Sequence, residues 1–321
     1  MHKTVLLAES AFQLNLKKGD VVVDATLGMG GHTIELAKIV GEKGRVIAID
    51  MDAVAIREAK NRIKKEHKEF LDRIIFVKDN FKNIDKIVAG QGTSAIKVKG
   101  VLADLGWRIE QINDPAYGLS FNVDARLNMR LDEAGDSPED SEDAFDIINS
   151  WSADDLERLF RELGEERFSK RIVIAIKEAR KEKEIKTTME LANIIEESVG
   201  HRGRKGGRKI HPATKVFQAL RIQVNSELNN LNVFLENALK VLEKDGRLAI
   251  ISFHSIEDRI VKNFCKSGTK GCVCPKEFPI CKCGKEPKLK LITKKPIIPS
   301  DLELKENRRA RSAKLRVIQK K

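Results

Sequence analysis

The chain has 321 residues, enough for one large domain or two modest ones that bury a hydrophobic core. Its hydrophobic fraction of 41% is ordinary for a globular protein and argues against a largely disordered chain. The formal net charge is +12, from 60 Lys and Arg against 48 Asp and Glu, which is typical of a protein with a polyanionic partner and equally of a highly charged, soluble surface.

The charge is unevenly distributed along the chain. Residues 201–209 carry five Lys or Arg and no acid, and residues 305–321 carry eight bases against the single acid Glu306. Residues 132–146 carry eight acids and no base. This asymmetry predicts a molecule with one side that faces nucleic acid.

Nothing in the sequence is typical of secretion or of a membrane partner. The apolar run near the N-terminus is short and is interrupted by Glu9. All five cysteines lie between Cys265 and Cys283 and do not resemble a secreted disulfide framework. We therefore expect a cytoplasmic protein, or one that reaches its compartment through a presequence. The sequence leaves the oligomeric state open, a homodimer included.

Short apolar runs that end at a carboxylate alternate with helical patterns in the first hundred residues. The runs are Val21–Val23 before Asp24, Arg45–Ile49 before Asp50, Ile74–Val77 near Asp79, and Val98–Ala103 before Asp104. Such alternation predicts an α/β, Rossmann-like fold whose parallel sheet is covered on both faces. Ligands in such folds bind beyond the strand carboxyl ends, where these carboxylates would gather.

A helical stretch interrupts this pattern between residues 114 and 209, where apolar residues recur at helical spacing. We predict an inserted helical domain for substrate recognition there, with residues 1–113 and 210–321 forming the α/β domain. Pro212 is expected to open one long helix whose buried stripe runs to Leu242. A fifth strand at Arg247–Phe253, a helix at Ile256–Phe264 and a last strand at Lys314–Gln319 complete the prediction.

The glycine-rich turn after the first strand indicates the cofactor. A dinucleotide fingerprint needs glycines at positions 28, 30 and 33, but position 33 is Thr33. The spacing Gly28-x-Gly30-Gly31 instead resembles the S-adenosylmethionine loop of class I methyltransferases. Asp50 can accept the ribose hydroxyls of either cofactor. Asp104 at the end of the fourth strand favours a methyltransferase over a dehydrogenase.

Longer motifs resemble one family over nearly the whole chain. The matching stretches are His2-x-x-Val5-Leu6-Leu7-x-Glu9, residues 24–32 (DATLGMGGH), Ala48-Ile49-Asp50-x-Asp52, residues 164–172 (GEERFSKRI), residues 211–214 (HPAT), 217–222 (FQALRI), 250–255 (IISFHS) with 257–259 (EDR), and 309–316 (RARSAKLR). They resemble the 16S rRNA (cytosine-N4) methyltransferases, RsmH, also called MraW.

This resemblance implies an S-adenosylmethionine-dependent class I methyltransferase with an inserted helical domain. Its partner would be ribosomal RNA or the small ribosomal subunit, and its product an N4-methylated cytidine. Carried over by position, the cofactor contacts fall on Gly30, Gly31, His32, Asp50, Phe81, Asp104 and Gln111.

The chain departs from the family after the fourth strand. Where the family has Asp-Leu-Gly-Val-Ser-Ser-x-Gln, this chain has Asp104-Leu105-Gly106-Trp107-Arg108-Ile109-Glu110-Gln111. Two catalytic candidates lie here. Asp104 can accept an N4 hydrogen and so localise the amine lone pair. Trp107 can stack on an extruded base, or else pack against the insert.

Three further questions stay open at this stage. His254, Ser252 and Ser255 either line the base pocket or cap local backbone, and Asp24 is expected to orient the glycine loop or touch the ligand. Two close-spaced cysteine pairs, Cys272-x-Cys274 and Cys281-x-Cys283, are candidates for a structural zinc site or are reduced loop cysteines, whereas Cys265 is expected in the core. Alternative functions are an RNA-binding ribosome assembly factor with weakened catalysis, or an amino-methyltransferase acting on another nucleic acid.

Overall fold

The computed structural model describes residues 3–91, 97–131, 142–200, 211–271, 274, 283–284 and 286–321. These residues divide into two compact units. Unit 1 comprises Met1–Gly106 with Leu228–Lys321, and unit 2 comprises Trp107–Glu227. No helix of the described part of the chain combines the length and the apolar character needed to cross a membrane.

Strands and helices alternate in the order expected. Within the described residues the strands are β1 Val21–Asp24, β2 Arg45–Asp50, β3 Ile74–Lys78, β4 Val98–Asp104, β5 Leu242–Ser252, β6 Leu289–Leu291 and β7 Lys314–Lys320. The helices are α1 Leu7–Leu14, α2 Gly31–Val40, α3 Ala53–Glu66, α4 Ile84–Gly90, α5 Ile109–Asn113, α6 Ala144–Ser150, α7 Ala153–Glu162, α8 Ser169–Glu182, α9 Thr188–Val199, α10 Ala213–Val224, α11 Glu227–Val241, α12 Ser255–Thr269 and α13 Asp301–Glu306.

The strands form one sheet in the order β3-β2-β1-β4-β5-β7-β6. The first five are parallel, and β7 runs antiparallel between β5 and β6. This confirms the predicted α/β, Rossmann-like fold. Because β1, β2 and β4 are parallel, their last residues Asp24, Asp50 and Asp104 lie at one edge of the sheet.

Both faces of the sheet are covered by helices, which explains why the strands are apolar at nearly every position. Consecutive strand residues such as Val22 and Val23 belong to different core clusters, one on each face of the sheet. Helix α2 contributes Leu36 to the cluster on one face, and α11 contributes Phe234 to the cluster on the other. The sheet edge that carries the carboxylates is thereby held between two packed layers.

Unit 2 has a core of its own, built by its helices. The cluster includes Phe160 of α7, Ile172 of α8 and Leu191 of α9. Helix α10 adds Val216 and Leu220, so the compact unit extends beyond the predicted insert of 114–209 at both ends. Its predicted role in substrate recognition remains a prediction.

The single long helix predicted from Pro212 to Leu242 is wrong: α10 ends at Val224 and α11 begins at Glu227. Between them Ser226 has a left-handed backbone, with φ of 50°. The Asn225 side chain donates to the Met129 carbonyl (2.8 Å) and accepts from Leu131 N–H (3.0 Å). These tertiary bonds compete with the helix and end it there.

Candidate active site

A tight glycine turn leads from β1 into α2. Gly28 and Gly30 have φ of 51° and 77°, a left-handed conformation in which a side chain is strained. A Cβ at Gly31, the first residue of α2, would collide with Thr4 Oγ1. The turn therefore depends on glycine, and it brings bare backbone and a helix N-terminus to the carboxyl edge of the sheet.

Asp50 fixes this turn from the end of β2. Its Oδ2 accepts from Gly28 N–H at 2.9 Å, and its Oδ1 accepts from Asp52 N–H at 3.0 Å. Asp52 in turn caps α3 through Val54 N–H. A carboxylate oxygen can accept two hydrogen bonds, so the oxygens of Asp50 can also accept from hydroxyl donors. Its contact with a ribose remains a prediction.

Asp24 lies beneath the turn and is fully buried. Thr33 Oγ1 donates to it at 2.6 Å and Thr26 N–H at 3.2 Å, so the carboxylate ties the turn to α2. Burial raises its pKa to about 6, against the lowering effect of His32 and these hydrogen bonds. The geometry favours the expectation that Asp24 orients the glycine loop.

Asp104 at the end of β4 faces His32 of α2. Its backbone N–H donates to Thr26 Oγ1 at 2.7 Å, and its Oδ2 lies 3.5 Å from His32 Nε2. On the other side of the imidazole, Nδ1 lies 3.3 Å from Ser10 Oγ of α1. Among the described residues, neither Asp104 Oδ1 nor His32 Nε2 has a hydrogen-bond partner, although both atoms are buried.

The protonation of His32 reflects these neighbours. Burial lowers the pKa of this histidine, but the carboxylates of Asp104 and Asp24 outweigh it, and the net shift is upward. A buried cation is thus favoured between two carboxylates. The cluster of Ser10, His32, Asp104 and Asp24, here called the histidine cluster, lies entirely within unit 1.

Phe81 lies close to the carboxyl end of β3, in a 3-10 turn over Phe81–Asn83. Its ring packs edge-on against Phe234 of α11, with centroids 5.1 Å apart. Asp79, just before it, donates through its backbone N–H to the Asp50 carbonyl at 3.0 Å. Phe81 is therefore held at the same sheet edge as the glycine turn.

Gln111 and Trp107 belong to unit 2. Gln111 is 6% exposed, and its Oε1 accepts from Arg108 N–H at 3.2 Å. The Arg221 guanidinium of α10 lies over the Trp107 ring, 5.1 Å from its centroid, and pairs with both oxygens of Glu227 at 2.8 and 3.0 Å. One face of the half-buried indole therefore contacts Arg221 of unit 2, and stacking on a base stays a prediction.

The segment after β5 favours local capping. His254 precedes α12, and its Nδ1 accepts from Glu257 N–H at 3.4 Å, while its Nε2 lies 3.1 Å from Glu257 Oε1. Ser252 Oγ donates to the Lys314 carbonyl at 3.5 Å, and Ser255 is the first residue of α12. Nδ1 of His254 therefore caps α12, whereas its buried Nε2 makes no hydrogen bond among the described residues.

The cysteine and basic segments are described only in part. Cys265 is 4% exposed, which confirms it as core, and burial raises the pKa of its thiol to about 11. Cys272, Cys281 and the basic loop at 201–209 lie outside the described residues, so zinc binding by the two pairs with Cys274 and Cys283 remains a prediction.

The C-terminal basic segment separates into two groups. Lys314 and Arg316 of β7 pair with Asp258 of α12, at 3.2 and 2.7 Å, and lower the pKa of that carboxyl despite its burial. Lys320 donates to two backbone carbonyls. By contrast, Lys305, Arg308, Arg309, Arg311 and Lys321 are exposed. The sequence did not distinguish these groups.

Sequence reasoning missed Ser10, Thr26 and Thr33 as contributors to the site in unit 1, and Arg221 as the neighbour of Trp107 in unit 2. Ser10 directly follows the Val5–Glu9 motif, and Thr26 and Thr33 flank the glycines. Their positions within recognised motifs were the available signal. Their hydrogen-bond partners could not be inferred from the sequence, because His32 lies 22 residues from Ser10 and Asp104 lies 78 residues from Thr26.

Comparison with known proteins covers the chain from end to end. Residues 1–321 match the family model described as the MraW methylase family. Proteins named ribosomal RNA small subunit methyltransferase H are 46% identical in Carboxydothermus hydrogenoformans (99% of this chain, 97% of the relative), 45% in Clostridium botulinum strain Loch Maree (99% and 98%) and 43% in Brevibacillus brevis (99% and 98%). The similarity includes both compact units.

Proposed function

The chain belongs to the MraW methylase family, and from this premise we propose that it transfers a methyl group from S-adenosylmethionine to the N4 amine of a cytidine in 16S ribosomal RNA. The observation that carries the proposal is the carboxyl edge of the sheet. There a glycine turn, the carboxylate of Asp50 and Oδ1 of Asp104, an acceptor without a hydrogen-bond partner in the described part of the chain, come together within unit 1.

The residues present fit the cofactor. The missing Cβ atoms of Gly30 and Gly31 leave room for Ile63 and Thr4, which lets the turn form, and the start of α2 favours a carboxylate group. Asp50 offers acceptors to neutral hydroxyl donors. We assign cofactor contacts to Gly30, Gly31, His32, Asp50, Phe81, Asp104 and Gln111. When bound, the cofactor supplies an electrophilic methyl group.

Asp104 would act on the amine. The lone pair of cytosine N4 is delocalised into the ring, which makes the amine a poor nucleophile. An acceptor for one N4 hydrogen returns electron density to nitrogen, and Asp104 Oδ1 has unused acceptor capacity. The same carboxylate is placed to take the proton that the amine gives up once the new N–C bond has formed.

Trp107 and the basic surfaces would hold the RNA. An extruded base needs a flat partner to replace the stacking that it loses, and the indole is the largest such group near Asp104 in sequence. The arginines at 308, 309 and 311 of unit 1 are exposed and would contact phosphates. Unit 2 is proposed as the substrate-recognition domain.

The test is incubation of small ribosomal subunits that lack the modification with labelled cofactor, followed by mass spectrometry of the nucleosides. We expect N4-methylcytidine with wild-type protein and at least about 100-fold less with Asp104→Ala, the size of a lost general acid–base or oxyanion-type contact. RNA binding without any methylated nucleoside would support an assembly factor instead. Methylation of naked DNA but not of ribosomal RNA would favour another nucleic acid.

A further inference from the structure

Ser10 defines the hydrogen-bonding state of the histidine cluster. A hydroxyl carries one hydrogen, and Ser10 Oγ donates it to the Leu7 carbonyl at 3.1 Å, an oxygen that can only accept. Toward His32 Nδ1, 3.3 Å away, Ser10 Oγ is therefore an acceptor. When the hydroxyl hydrogen points to Leu7, Nδ1 carries a hydrogen that points to Ser10 Oγ.

The opposite nitrogen then decides the charge of the ring. His32 Nε2 lies 3.5 Å from a carboxylate oxygen of Asp104, which is also an acceptor. A neutral imidazole has one N–H and can direct it toward only one of two acceptors, whereas an imidazolium has an N–H for each and also a charge that attracts the carboxylate. The titratable groups that act on the ring, Asp104 of β4 and Asp24 of β1, are both acidic and favour the same charged form.

Asp104 is thereby left with two distinct oxygens. Oδ2 lies beside the ring, and Oδ1 is buried without a partner among the described residues. A buried acceptor that makes no hydrogen bond is costly, and an incoming N–H donor would relieve that cost. The arrangement places one oxygen 3.5 Å from the ring nitrogen, within ion-pair distance, and leaves the other for an incoming donor.

We propose that Ser10 and His32 are positioning residues for Asp104: Ser10 keeps His32 an imidazolium, and the imidazolium holds one carboxylate oxygen so that the other accepts from the substrate amine. The last step rests on the proposed function, because it takes Asp104 as the acceptor. The protonation of His32 does not depend on it. The two can therefore fail separately.

The experiment is an NMR titration of protein labelled with 15N in its histidines. There are six histidines, and the signals of His32 are assigned by comparison with His32→Gln. In the wild-type protein we expect both ring nitrogens of His32 to be protonated at neutral pH, with a titration midpoint above the ordinary histidine value. A neutral ring with one unprotonated nitrogen at pH 7 would overturn the proposal without any variant.

Ser10→Ala removes the acceptor at Nδ1, so a neutral ring with its hydrogen on Nε2 satisfies Asp104 unaided. We expect the titration midpoint of His32 to fall by about one to two pH units, the effect of one hydrogen bond to a charged group. Ser198→Ala is the matched control, because Ser198 Oγ also donates to a carbonyl three residues back (2.8 Å), in α9. It should leave the midpoint unchanged.

Turnover supplies the second readout. We expect Ser10→Ala to lower kcat for methyl transfer by about 10-fold at neutral pH while KM for the cofactor stays within about 3-fold, since the loss concerns positioning. An unchanged midpoint in a folded Ser10→Ala protein refutes the proposal. A shifted midpoint in a protein that makes no N4-methylcytidine refutes the proposed function alone.

Discussion

Asp50→Ala tests the cofactor site at the residue whose surroundings are best defined. The substitution removes the acceptor for Gly28 N–H, which lies 2.9 Å from Oδ2, and it removes the proposed acceptor for two ribose hydroxyls. Stranding the hydroxyl donors costs at least about 1–2 kcal/mol, and loosening the turn adds about 1 kcal/mol. Together they weaken S-adenosylmethionine binding by roughly 30- to 150-fold.

Isothermal calorimetry measures this loss directly. Asp20→Ala is the matched control: Asp20 Oδ2 also accepts from a backbone N–H, that of Lys17 at 2.7 Å, but it precedes β1 at the opposite edge of the sheet. We expect Asp20→Ala to leave the affinity unchanged. Unchanged affinity in a folded Asp50→Ala protein would remove the end of β2 from the cofactor site.

Three further predictions concern the base, the RNA and stability. Trp107→Ala should lower the rate of methyl transfer by at least about 10-fold while the affinity for the cofactor stays within about 3-fold. Trp107→Phe should recover most of the rate, and Trp107→Val should behave like Trp107→Ala. A lower Tm of Trp107→Ala with an unchanged rate would show that the indole is a packing residue beside Arg221. Neutralising the three exposed arginines within 308–311 should reduce the slope of log affinity for RNA against log salt concentration by about 2. The same charge change at the exposed lysines of α3 (60, 64 and 65) should leave that slope unchanged. Equal slopes for the arginine variant and the wild type would mean that the arginines are only a solvated surface. Because burial raises the pKa of Asp24 to about 6, the protonated side chain stabilises the fold fully below its unfolded pKa, and this stabilisation is lost as the pH rises through 6. The free energy of unfolding of Asp24→Asn should therefore rise relative to that of the wild type by about 3 kcal/mol between pH 3 and 7. A difference that stays constant with pH in denaturant titrations would contradict this.

The sheet and its functional edge could be predicted because the signal is local. Strands buried on both faces are apolar throughout, and in a parallel sheet the residue that ends each run must lie at one edge. Asp24, Asp50 and Asp104 follow from that rule. Strand β6 spans only Leu289–Leu291, where one polar residue separates two apolar ones, so its sequence gave no comparable signal.

Features that depend on tertiary contacts were not predictable. The apolar stripe continues from α10 into α11, and no glycine or proline marks the break, which depends on bonds from Asn225 to residues nearly a hundred positions away. Ser10 likewise acquires its role only when α1 packs against α2. The pattern located the carboxylates, but the partner that charges His32 was visible only in the fold.

The most direct test of the central claim is to identify the atom to which the transferred methyl group is bonded. Small subunits carrying cytidine labelled with 15N at N4 are incubated with the protein and with S-adenosylmethionine labelled with 13C in its methyl group, and the methylated nucleoside is isolated for NMR. The account predicts a methyl carbon that shows one-bond coupling to the labelled nitrogen. A methyl carbon without that coupling, as for a methyl group on ring carbon or ribose oxygen, would contradict it.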